Sequence, residues 1–212
     1  MLSSYDDFPV HQTSMPIAHT MSADLNRYDR YFFNGYTKSG DLYFAAAMGL
    51  YPNRHVADAA FSVVRDGVEY SVFRSQRAPQ DRADATSLGP ISVEVVKPLQ
   101  TLRLRVDSPE HGLRADLTFD ARSAAIEEPH FFQRIGVRPF FDYTRLTPFG
   151  QWSGWVEIEG ERITVTPDEV WGSRDRSWGV RPIGEAGSSG APMDLFQFFW
   201  IWAPVNFPSL ST

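Results

Sequence analysis

The sequence predicts an all-β protein, an antiparallel meander that curls into a barrel, and three observations support this. Aromatic residues make up 14% of the chain, with 16 Phe, 8 Tyr and 6 Trp, and aromatics favour pleated, half-buried surfaces over helices. From Tyr31 onwards turn residues recur at roughly ten-residue intervals, the spacing of a meander in a sandwich or barrel. Apolar and charged positions alternate so that one face of each strand is wet, as in antiparallel sheets. At 212 residues and 42% hydrophobic, the chain can bury a sizeable core.

Residues 1–28 contain Pro9, Pro16 and scattered serines without periodicity, and read as an N-terminal arm across the body where little chemistry is expected. Residues 29–183 read as the barrel. Its clearest hairpin runs from Phe61 to Phe73, where Asp66-Gly67 supplies the two φ > 0 positions of a type I′ turn. That turn sets Arg65 opposite Val68, Val63 opposite Tyr70 and Phe61 opposite Val72. A second hairpin is registered by charge. Setting Arg105 opposite Asp116 also sets Asp107 opposite Arg114, and brings Leu104 to Leu117 and Leu102 to Phe119 on the other face. Ser108-Pro109-Glu110-His111-Gly112 is then the turn. A third hairpin turns at Glu159-Gly160, with Val156 opposite Ile163 and Glu157 opposite Arg162.

Residues 184–194 read as a loop without the Gly-Lys-Ser/Thr ending of a phosphate loop. Leu195 to Trp202 reads as an apolar strand buried on both faces. Such a strand needs cover: it completes the barrel, meets a second copy in a homodimer, or leads into a second barrel domain.

The formal net charge of -6 comes from 26 acidic and 20 basic residues. It leaves no net positive field to attract phosphate backbones, so nucleic acid is not an expected partner. The first thirty residues hold Asp6, Asp7, His11, His19 and Asp24 with neither a basic n-region nor an apolar h-region, so no signal peptide is readable. No apolar run is long enough to cross a bilayer, and no integral membrane insertion is expected. Zero cysteines exclude a disulfide framework and fit a reducing compartment, so a cytoplasmic location is expected.

The chemistry concentrates in Trp171-Gly172-Ser173-Arg174-Asp175-Arg176-Ser177-Trp178-Gly179-Val180-Arg181. In an extended strand Arg174, Arg176 and Trp178 share one face, and Trp171, Asp175 and Ser177 share the other. Burial of a lone carboxylate raises its pKa, while flanking arginines lower it. Asp175 is the candidate catalytic residue, exchanging a proton beside an apolar substrate with Trp171 or Trp178 stacked on it. In the alternative it is a buried ion-pair partner that ties the sheet together. Glu127-Glu128-Pro129-His130 has ligand-type side chains, but the other histidines are scattered without ligand spacing, so neither a metal nor a cofactor is expected. Tyr51-Pro52-Asn53-Arg54-His55 lines a barrel mouth or forms a solvated turn. Phe131-Phe132 and Phe140-Phe141-Asp142-Tyr143 form an apolar ligand wall or core. No nucleophile elbow or catalytic cysteine is visible.

Asp175-Arg176-Ser177-Trp178-Gly179, with Gly40-Asp41-Leu42-Tyr43-Phe44 and Asn53-Arg54-His55-Val56, resembles the superfamily of paired lipocalin-like (calycin-like) barrels typified by the carotenoid hydratase hydroxyneurosporene synthase. The resemblance spans most of residues 30 to 207, and its specific element is Asp-x-x-Trp-Gly. It implies two consecutive barrels with that signature near the end of the first, Asp175, Trp178 and Gly179 taking the family positions. The chain is too short for two full barrels, so a lipocalin-like barrel is expected that is incomplete or followed by the start of a second. Arg176 stands where the hydratase-like pattern has histidine, and arginine cannot shuttle a proton near neutral pH. This departure counts against hydratase chemistry.

The resemblance implies a hydrophobic small molecule, a terpenoid, steroid or polyene-like compound, enclosed in the barrel. The ligand-binding candidates are Trp171, Arg174, Arg176, Trp178, Tyr43 and His55. Acid-catalysed hydration or isomerisation by Asp175 is one expectation; a carrier without chemistry, or a structural half-barrel, is the alternative.

Overall fold

The computed structural model describes residues 1–10, 14–183 and 199–212. β1 (Arg27–Thr37), β2 (Leu42–Tyr51), β3 (Val56–Arg65) and β4 (Val68–Arg77) form one meander, and β5 (Ser87–Leu88), β6 (Ile91–Lys97), β7 (Thr101–Ser108) and β8 (Leu113–Ala121) form another. β9 (Ile126–Glu127), β10 (Phe131–Ile135) and β11 (Arg138–Thr147) pair as a flap; β12 (Phe149–Ile158), β13 (Glu161–Val165) and β14 (Val170–Val180) follow. The hydrogen-bonded order β4-β3-β2-β1-β14-β12-β8-β7-β6-β5 makes a nearly closed antiparallel barrel with one unsealed seam, between β4 and β5. The lipocalin-like all-β architecture expected from the sequence is therefore present.

The three hairpins have the expected registers. Val63 faces Tyr70, Arg105 faces Asp116 with Asp107 facing Arg114, and Val156 faces Ile163. Asp66 and Gly67 both have positive φ, 52° and 76°, so the type I′ chemistry holds.

β14 joins the two meanders. It pairs with β1 along one edge and, along the other, with β12 at Trp171–Ser173 and β11 at Arg176–Val180. β11 and β12 keep one register against it, interrupted at Pro148, which has no N–H for the ladder; the Pro148 carbonyl accepts from Arg174 N at 3.2 Å. Gly179, the signature glycine, has φ 143°, and a Cβ there would stand 2.3 Å from Asp142 O and 2.5 Å from Tyr143 Cα. Only a residue without a side chain lets β11 approach so closely.

The barrel interior is packed. Trp152 meets Phe44 at 5.1 Å, Phe119 at 5.2 Å and Phe33 at 6.0 Å between ring centroids, and its indole N–H donates to Asn34 O at 2.8 Å. Side chains that line a water-sized hollow keep accessible surface, yet Phe44, Phe61, Phe119 and Trp152 keep 0%. Among the described residues, the space where a ligand was expected is occupied at this level by an aromatic cluster, a dense way to bury these rings.

The N-terminal arm does more than cross the body. A 3-10 turn over Ser4–Asp7 brings the fully buried Asp7 to the inner face of β14, where Arg174 donates to its two carboxylate oxygens at 2.8 and 3.0 Å. Leu99 N also donates to this carboxylate, and Tyr31 Oη donates to the Asp7 carbonyl at 2.5 Å.

At the other end, the 184–194 loop and residues 195–198 of the expected apolar strand lie outside the described residues. The remainder, 199–202, forms no strand: Phe199 is 88% and Ile201 70% exposed.

Candidate functional site

Strand alternation sends the Arg-Asp-Arg stretch both ways. Arg174 and Arg176, opposite Phe33 and Tyr31, face the barrel interior; Asp175, opposite Phe32, faces outward. The two-faced arrangement expected of an extended strand is present, but the acid looks away from the core. Both inward arginines are engaged, Arg174 by Asp7 and Arg176 by Asp29 and the Arg30 carbonyl. Buried charges require such partners.

Asp175 is nonetheless buried, only 5% exposed. On this outer face Tyr28 meets Tyr143 edge-to-face at 6.2 Å, and Tyr143 stacks on Phe131 at 4.7 Å. Arg145 lies over the ring of Trp200 at 5.5 Å, and Trp202 contacts Phe32 at 5.7 Å. Burial raises the Asp175 pKa, and Arg145, Arg30 and Arg181 partly counter it. None of these arginines forms an ion pair with Asp175, and its Oδ1 has no hydrogen-bond partner among the described residues. The expected alternative, a carboxylate bracing the sheet through an ion pair, is not what these contacts show.

One outward row crosses five strands: Asp58 on β3, Gly49 on β2, Arg30 on β1, Ser177 on β14 and Arg145 on β11. Gly49 makes the row concave. A Cβ there would lie 2.6 Å from Tyr51 Oη and 2.9 Å from Asp58 Oδ1, the space over which Tyr51 donates to Asp58 at 3.3 Å. Above the row opens a recess of about 410 Å³ lined by Arg30, Tyr51, Arg54, Asp58, Arg181 and the apolar Val56 and Ile183. Burial raises the Asp58 carboxyl, against the opposing hydrogen bond from Tyr51 and the charge of Arg30. The Tyr51 phenol is pushed up to about 12, first by burial and then by Asp58. Two carboxyls with raised pKa values thus share one face, and both feel Arg30.

The other expected site residues are dispersed. Trp171 lies outward with Lys38 and Arg122 over its ring, each at 4.3 Å. Tyr43 is 42% exposed and opposite Tyr36. His55 is an exposed left-handed cap with φ 55°. Trp178 lines a second recess, of about 360 Å³, with Arg27, Tyr143, His130 and Asp142. His130 is bonded to Asp142 at 2.8 Å and near Thr144 at 3.3 Å. Tyr51 belongs to the stretch expected at a barrel mouth or solvated turn and Arg181 ends the Trp171–Arg181 cluster, whereas Asp58 and Arg30 are the site residues that sequence reasoning missed. The local signal for Asp58 is a lone acid in the apolar run Val56-Ala57-Asp58-Ala59-Ala60.

No helix among the described residues is long and apolar enough to cross a membrane. Comparison of structures finds a protein described as an AttH from Nitrosomonas europaea, with TM-score 0.56, 17% identity, and coverage of 74% of this chain and 53% of that one. Kievitone hydratase from Nectria haematococca follows with TM-score 0.53, 16% identity, and coverage of 71% and 47%. CghA with Sch210972 has TM-score 0.51, 14% identity, and coverage of 72% and 46%. The chain therefore spans about half the length of these structures. The likeness is one of fold, and it agrees with the lipocalin-like antiparallel barrel expected from the sequence. No curated protein matches the sequence. A sequence profile does match, over residues 2–211, and by it the chain belongs to the family of unknown function DUF8625.

Proposed function

We propose that the protein binds a hydrophobic small molecule on the outer face of the barrel, in the recess over Arg30, and that Asp58 is the acid in contact with it. The observation that carries this reading is the recess itself, in which Asp58, a carboxyl raised by burial, lies beside an apolar wall at Val56 and Ile183. A recess of this size suits a small ligand whose affinity comes mainly from apolar burial. In the catalytic form of the reading, protonated Asp58 delivers its proton to a carbon–carbon double bond. Water then adds to the resulting cation and returns a proton to the carboxylate, a net hydration; proton loss from carbon instead gives isomerisation. Asp175 lies on the same outer face, where the charges of Arg30 and Arg181 favour its ionised form. Kievitone hydratase and CghA with Sch210972 share the fold and support a small-molecule role by analogy.

A carrier without chemistry is the second reading. It is favoured by Arg176, which stands at the histidine of the hydratase-like pattern and is engaged by Asp29. Mass spectrometry of the organic extract of purified protein tests the common core of both. A hydrophobic molecule is expected from the wild type and is expected to be lost from Val56→Trp, which fills the recess; retention unchanged by that substitution contradicts the assignment. Loss of turnover with retained ligand in Asp58→Asn separates enzyme from carrier.

A further inference from the structure

Among the described residues, the recess carries more positive than negative charge. Three of the described lining side chains are guanidinium groups, Arg30, Arg54 and Arg181, and one described lining residue, Asp58, carries a carboxyl. None of the three is in an ion pair among the described residues. Among the described residues Arg54 donates to neutral acceptors, the Leu25 carbonyl at 2.9 Å and Asn26 Oδ1 at 3.4 Å. Nε of Arg30 and Nε of Arg181 are both buried without a hydrogen-bond partner among the described residues, an arrangement that leaves donors unsatisfied. Burial and then the neighbouring charge of Arg30 depress Arg181, and Asp175 counters this only in part, as expected for two cations held close together. Charge-assisted hydrogen bonds from guanidinium to oxyanion are the strong ones, and the planar fork suits a carboxylate.

We propose that the ligand is an amphiphilic acid, whose oxyanion head is received by Arg30, Arg54 and Arg181 while its apolar body lies along Val56 and Ile183. The proposal rests on the recess being the binding site and adds the chemical class. The head completes the guanidinium donors and offsets the mutual repulsion of Arg30 and Arg181; a neutral molecule of the same length leaves both unanswered.

Calorimetric titration of the full chain with decanoate and with decanol, below the micellar concentration, tests it. Decanoate is expected to bind at least about tenfold more tightly than decanol, the discrimination of one charge-assisted hydrogen bond. Arg181→Gln is expected to bring the two within about twofold, and Arg54→Gln, on a solvent-facing turn, to narrow the gap where Arg181→Gln impairs folding. Val56→Trp is expected to abolish both. Equal affinity for acid and alcohol in the wild type, with both lost in Val56→Trp, overturns the acidic class and leaves the binding site standing. Failure of both ligands to bind, or binding indifferent to Val56→Trp, overturns the site as well.

Discussion

Arg174 and Asp7 stand 167 positions apart and meet through two hydrogen bonds, of 2.8 and 3.0 Å, neither side chain keeping any accessible surface. The pair pins the N-terminal arm to the strand that joins the two meanders. Removing one partner strands a buried charge, so Asp7→Ala is expected to cost about 3–5 kcal/mol of folding stability. Chemical denaturation measures it. A loss under about 1 kcal/mol, the range of an exposed pair, contradicts a pinned arm.

The barrel core turns on Trp152. Truncating this indole to alanine empties the space where Phe33, Phe44 and Phe119 converge, and Trp152→Ala is expected to destabilise by about 3–5 kcal/mol. Gly172→Ala should act on the same contact, because its Cβ would stand 2.0 Å from Asn34 O and 2.9 Å from the indole nitrogen. Thermal melts of both variants check this. A ligand-sized hollow at the centre would instead make Trp152→Ala nearly silent.

Protonation of Asp175 gives a signed pH dependence. Burial raises this carboxyl above the ordinary aspartate value of 3.8, so the folded chain holds the proton to higher pH than the unfolded one. The associated stability is complete below that ordinary value and is lost as pH rises through the elevated folded value. Asp175→Asn cannot ionise and escapes the loss. The variant is expected to match the wild type in acid and to exceed it increasingly towards neutral pH, as read from denaturation midpoints across pH. A variant that becomes less stable than the wild type with rising pH places Asp175 in an ion pair.

Gly49 separates binding from folding. An alanine there has better backbone entropy than glycine by about 0.5–1 kcal/mol, yet its Cβ collides with Tyr51 Oη and Asp58 Oδ1. Gly49→Ala is therefore expected to keep the melting temperature within a few degrees while reducing ligand retention, measured by extraction and mass spectrometry. Unchanged retention argues against the recess.

Local chemistry explains which parts of the fold were legible in the sequence. The hairpins at Asp66-Gly67 and Glu159-Gly160 are set by residues that accept positive φ, and the register at Arg105 and Asp116 by charge across adjacent strands. Period two also placed Arg174 and Arg176 opposite in sense to Asp175. Alternation alone does not say which face becomes the interior; that is decided by β1, β11 and β12, distant in sequence, and by an arm whose Asp7 has no periodic context. The recess was hidden for the same reason. Asp58, Gly49 and Arg30 become neighbours only when β1, β2 and β3 are in register, and Arg181 joins them from beyond the end of β14.

Methyl NMR of the protein titrated with decanoate tests most directly whether binding occurs on the outer face and not in the barrel centre. The methyl signals of Val56 and Ile183, which line the recess, are expected to shift, while those of Val63 and Leu117, fully buried in the barrel, stay within the linewidth. Shifts concentrated at Val63 and Leu117, with Val56 and Ile183 unmoved, would place the ligand inside the barrel and contradict the assignment.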